Sequence, residues 1–125
     1  MHLITFLYNE THRERADEYI HCLDQNVRLG LFEQIHVYYD TSADDQHFES
    51  VWAAIERNRE LFVHRIGGRP TYGSIFAYCN ENFPGQVVVL SNGDIEFDKS
   101  LAQVSSLDWH GLFLSLARDD FRGTL

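Results

Sequence analysis

Asn92, Gly93 and Asp94 put two side-chain oxygens two residues apart around a glycine, directly after the apolar run 87–90 and Ser91, and Glu96 and Asp98 follow. An amide and a carboxylate at a strand exit suit a divalent cation that arrives with a diphosphate, because Mg²⁺ or Mn²⁺ is commonly held by one or two carboxylates plus substrate phosphates. Gly93 would let a phosphate or a ligand's backbone come close. Glu96 and Asp98 alternate with Ile95 and Phe97, so an extended segment would put them on the side of Asp94; two solvated acids would give the same pattern.

A second stretch, Gly67-Gly68-Arg69-Pro70-Thr71, combines flexible backbone, a guanidinium and the start of a helical pattern, three features that favour anions. It matches neither G-x-x-x-x-G-K-[ST] nor G-x-G-x-x-G. Asp40 ends another apolar run and is suited to accept hydrogen bonds from a ribose or base. Tyr8, Asn9 and Glu10 end the first run, HLITFLY. Taken singly, each of these positions is also what a turn requires, since Asn, Asp, Gly and Ser make turns.

The elements that must position these groups follow from periodicity. Residues 2–8, 35–39, 61–66 and 86–90 are β-branched or aromatic runs and predict strands. The run 87–90 has the character of a buried central strand. Between them, Ala16, Tyr19, Ile20 and Leu23, then Phe48, Val51, Trp52 and Ile55, then Tyr72, Ile75, Phe76 and Cys79 recur at helical spacing. Thr11 to Glu14 has the T-x-x-E form of a capping box, and Pro84-Gly85 break the third helix. A loosely structured stretch holds Leu101, Val104 and Leu107, and 112–116 predicts a fifth strand. This alternation implies a single α/β domain over 1–125: an open, mainly parallel, Rossmann-like sheet with helices on both faces. In such sheets ligands sit outside the carboxyl ends of the strands, so the strand exits share one rim.

Composition narrows the partners. Ten Lys and Arg against nineteen Asp and Glu give a formal charge of −9, which repels a phosphate backbone or an anionic membrane at long range and argues against nucleic acid. Nine of the ten cations are Arg, the side chain suited to bidentate contact with phosphate. Cys22 and Cys79 lie in helical patterns without C-x-x-C and are expected as buried free thiols, and the seven histidines are scattered singly, which gives zinc little support. Without a signal-peptide pattern or a membrane-length apolar run, the expected setting is cytoplasmic.

The segments I-T-F-L-Y-N, V-Y-Y-D, F-A-Y-C-N-E-N and V-V-V-L-S-N-G-D-I-E-F-D together resemble the nucleotide-sugar-binding half of GT-A-type glycosyltransferases, near family 2, over about residues 2–118. The resemblance implies metal-dependent transfer of a sugar from a nucleoside diphosphate sugar to an unknown acceptor. Asn92-Gly93-Asp94 stands where that family has D-x-D, so Asp94 would hold Mn²⁺ or Mg²⁺ and Asn92 replaces the first acid. The nucleotide positions it implies are the exit of the first strand, with Tyr8 and Asn9, together with Asp40, Arg65, Arg69 and Tyr72. Such enzymes continue into an acceptor-binding half that supplies the base, most of which this chain lacks. Asp119 and Asp120 are the candidate bases left, a polar strand end explains them equally, and an oligomer or a second chain would complete the site. The alternative is a nucleotide-sugar-binding or interaction module without catalysis. A receiver-like or phosphatase-like domain would want carboxylates at the end of the first strand, where Tyr8 and Asn9 stand.

Overall fold

The β-branched and aromatic runs assemble into one sheet. A computed structural model describes residues 1–42 and 51–109. Its elements are β1 (His2–Tyr8), α1 (Arg13–Leu29), β2 (Gln34–Asp40), α2 (Val51–Arg57), β3 (Phe62–Ile66), α3 (Tyr72–Asn82), β4 (Val88–Asn92) and a 3-10 helix (Lys99–Ser106). The four strands lie in the order β3-β2-β1-β4, and every adjacent pair is parallel. The expected strand at 112–116 and the start of the second helical pattern at Phe48 fall outside the described residues.

Alternation along each strand divides the core between the two faces. Leu3 and Leu7 of β1 with Ile35, Val37 and Tyr39 of β2 meet Ala16, Tyr19 and Leu23 of α1 and Val51, Ala54 and Ile55 of α2. On the other face Ile4 and Tyr38 pack on Ile75 of α3, with Phe6, Ile66, Cys79, Val88 and Leu90 around them. Helices therefore cover both faces, as the run pattern predicts, but unequally: α1 buries five residues and α3 only Ile75.

Three expectations change in detail. The 87–90 run predicts a central strand, whereas β4 ends the described part of the sheet, pairing with β1, and its side chains are half-buried or exposed. A short apolar run carries no information on how many neighbours its strand has. The T-x-x-E pattern does not form a capping box: α1 starts at Arg13 with His12 as its N-cap, and the His12 amide donates to Glu10 Oε1 at 3.0 Å. Tyr8 donates its hydroxyl to the other carboxylate oxygen of Glu10 and so fixes the group ahead of the helix. The loosely structured stretch is a 3-10 helix capped by Asp98 and closed by buried Leu101. No described helix is long and apolar enough to cross a membrane.

Candidate functional site

The strand order changes direction at β1, because β2 and β3 are added on one side and β4 on the other. The exits of β1 and β4 therefore lie side by side at the point where open α/β sheets bind ligands. In register, Thr5 faces Ser91 and Phe6 faces Asn92, so the ladder continues to the last polar residue of β4.

Asp40 and the Gly67-Gly68 turn join the exits of β2 and β3. Asp40 Oδ1 accepts from the Ser42 amide (2.8 Å), the Ser42 hydroxyl (2.6 Å) and the Gly68 amide (2.9 Å). The Ser42 hydroxyl above all, then the Ser42 and Gly68 amides, hold the Asp40 carboxyl below its ordinary range. Gly68 reaches it at φ 102°, a conformation that favours glycine. The Thr41 amide and hydroxyl add bonds to the Ile66 carbonyl at 2.8 and 3.0 Å. Oδ1 of Asp40 is thus spent on the fold.

Arg69 crosses from this turn towards β4. Its Nη2 donates to Asn92 Oδ1 at 3.3 Å, and its guanidinium carbon lies 5.9 Å from the centre of the Phe6 ring. Behind it is a pocket of about 360 Å³ between residues 66–70 and the Ser74 and Tyr78 side of α3, with Tyr38 on the sheet. Thr71 caps that helix by accepting the Ser74 amide at 3.1 Å. Arg69 and Asn92, expected from sequence, thus come together; Phe6, Tyr38, Ser74 and Tyr78 are additions. Period-two alternation in 35–39 and the i, i+4 spacing of Ser74 and Tyr78 were the available signals.

The other expected residues divide. Tyr8 belongs to a network at the β1 exit, where its hydroxyl donates to Glu10 and accepts from Tyr19 at 3.4 Å, and Arg15 donates to Tyr19 at 3.3 Å. Burial first, then the bond to Glu10, raises the Tyr8 pKa, and the same bond lowers that of Glu10. Asn9 is buried beside it. Arg65 leaves the group: it points to the opposite face and stacks on Trp52, 4.7 Å from the ring centre, since residues alternate along β3. Tyr72 is 65% exposed and stacks on Phe76. Asp119 and Asp120 lie outside the described residues.

The acids after β4 have structural partners. Asn26 of α1, 5% exposed, donates to the Ile95 carbonyl and accepts the Phe97 amide, both at 2.9 Å, which folds the segment onto α1. Glu96 pairs with His21 at 3.2 Å, and Asp98 accepts the Ser100 amide at 2.8 Å as an N-cap. Asp94 has its Oδ1 buried, and its charge contributes, after burial and Glu96 and Glu18, to pushing the Cys22 thiol up to about 12. Gly93 is not an opening for a ligand. A Cβ there would lie 2.7 Å from the Phe6 carbonyl oxygen and collide with Leu7 Cδ2.

Of the set Asn92 and Asp94, Asn92 is engaged by Arg69, and among the described residues no three His, Cys, Asp or Glu are grouped so as to hold a metal ion. The set offers a single carboxylate, which suits a cation bringing most of its ligands on a diphosphate and not a resident ion. Comparison with known families, curated proteins and solved structures finds no match for the chain.

Proposed function

We propose that the chain binds a nucleoside diphosphate sugar across the carboxyl-end rim and serves as the donor-binding part of a GT-A-like glycosyltransferase. The observation that carries this is the meeting of Arg69 with Asn92 at 3.3 Å over the β1–β4 switch, beside a pocket large enough for a ring. Arg69 supplies the planar, permanently charged donor that a diphosphate requires, and Asn92 holds it over the rim. Mn²⁺ or Mg²⁺ arriving with the donor would be met by Asp94 and would supply charge neutralisation at the diphosphate. The nucleoside would lie against the pocket and the Asp40 loop.

Calorimetry with nucleoside diphosphates and their sugar conjugates, with and without Mn²⁺, tests this. Binding is expected, and Arg69→Ala should weaken it roughly tenfold to a hundredfold, the loss of a charge-assisted hydrogen bond. No binding across the panel sinks the proposal. The second reading, binding without transfer, is favoured by the engagement of the rim acids Glu10, Asp40 and Asp98 in the protein's own hydrogen bonds. Transfer or hydrolysis by the full chain decides between the two.

A further inference from the structure

Three histidines far apart in sequence converge on the sheet face beneath α3. His36 is 2% exposed and His2 is 3% exposed. His36 Nδ1 lies 2.9 Å from His64 Nε2, and His36 Nε2 lies 2.9 Å from Gln34 Oε1. A carbonyl oxygen accepts, so these partners assign the proton of neutral His36 to Nε2 and leave Nδ1 to accept from His64. Around the pair are rings: Phe62 stacks on His36 at 4.9 Å, Tyr38 stacks on His64 at 4.5 Å, and Tyr78 of α3 sets its edge against both, at 5.8 and 5.2 Å.

We propose that this face is an acid-released latch: the neutral His36–His64 pair holds α3 on the sheet, and protonation of both rings lets α3 lift and the adjoining pocket open.

The geometry allows one proton between the two facing nitrogens. With two imidazolium rings, two N–H groups would point at each other across 2.9 Å. Among the described residues, nothing that faces the pair from the packed elements offers compensation. β1 brings His2, which stacks on Phe83 and bonds Gln86; β2 brings Gln34 and Tyr38; α3 brings Tyr78 and Cys79. Glu33 approaches His2 at 3.9 Å as a side chain 70% exposed. The charges His36 feels are those of His64 and His2, cations when protonated, and with burial as the larger cause they bring its pKa down to about 4. Burial lowers that of His64 too. The element that yields is α3 because Ile75 is its one buried residue, against five in α1. Tyr38 and Tyr78 belong both to the latch and to the pocket wall, so lifting α3 opens the pocket whatever ligand it takes.

Amide hydrogen exchange of the full chain, corrected for intrinsic rates, tests the latch between pH 7.5 and 4.5. Protection of the α3 amides is expected to fall at least tenfold on acidification while those of β1 keep theirs. His64→Gln, which keeps a donor for His36 and removes one titrating ring, should reduce the loss. Unchanged α3 protection, or α3 and β1 protection lost in step, overturns the proposal. An NMR titration of the wild-type imidazoles needs no variant: a His36 midpoint below about pH 5 supports the latch, and one in the ordinary range near 6.5 overturns it.

Discussion

At Gly93 the missing side chain serves packing. The position suggests access for a ligand, yet the space a Cβ would take is occupied by the Phe6 carbonyl, Leu7 and Tyr19. Main-chain oxygen cannot rotate aside as the end of a side chain can, so Gly93→Ala must push β4's exit away from β1. Overpacking of this kind costs typically about 1–3 kcal/mol, and the backbone contact puts the expected loss in the upper half of that range. Urea unfolding of Gly93→Ala against wild type measures it. A variant of wild-type stability would mean that the space is open and available to a ligand. Arg69 shows the opposite case, a side chain whose identity matters more than its packing. Arg69→Lys keeps the charge but loses the planar fork, so it should weaken diphosphate binding less than Arg69→Ala does, in the same calorimetric titration.

The backbone of segment 95–97 is held to α1 by the Asn26 side chain. Asn26 satisfies the Ile95 carbonyl and the Phe97 amide together, and Phe97 then reaches Phe32, with ring centres 5.8 Å apart. Asn26→Ala leaves both backbone groups without their partner in a half-buried setting, which should cost about 2–4 kcal/mol and raise exchange at the Phe97 amide ahead of global unfolding. Unchanged exchange at Phe97 would show that other contacts hold the segment. This clamp also marks where sequence reasoning stops. Strand positions were legible because apolar runs stop at Tyr8, Asp40 and Ile66, and α3 was legible from its stripe and from Pro84-Gly85. The end of β4 was not, since Ser91 and Asn92 are polar and still pair with Thr5 and Phe6. The acids of 94–98 looked like one group because they alternate; Glu96 meets His21 of α1 whereas Asp98 caps the 3-10 helix through Ser100, which spacing cannot reveal. Likewise, histidines scattered along the chain become neighbours only once parallel pairing sets His36 against Phe62 and Tyr38 against His64. Of the expected site, Arg69 and Asn92 meet because one follows β3 and the other is the last residue of β4, whereas Arg65, one residue inside β3, takes the face that alternation gives it.

For the whole molecule, acid sets two effects against each other. The formal charge is −9 at pH 7 and the isoelectric point is about 5.0, so self-repulsion alone would make the fold most stable near pH 5. His36 works the other way. Its pKa falls from 6.5 to about 4 on folding, so the unfolded chain binds its proton first and stability must fall as pH drops through that window. By pH 4 the loss from this group is on the order of 3 kcal/mol, well above the 0–1 kcal/mol of an exposed ion pair, so the histidine should prevail. Below pH 4 the carboxyls of Glu10 and Asp40, held low by their hydrogen bonds, add a second decline as they protonate. The urea midpoint should therefore fall steadily from pH 6.5 to pH 4 in the wild type and fall less in His36→Phe, where His64, its pKa also lowered by burial, still titrates. A wild-type midpoint that climbs to a maximum near pH 5 would show that net charge, and not the buried imidazole, governs the stability of the fold.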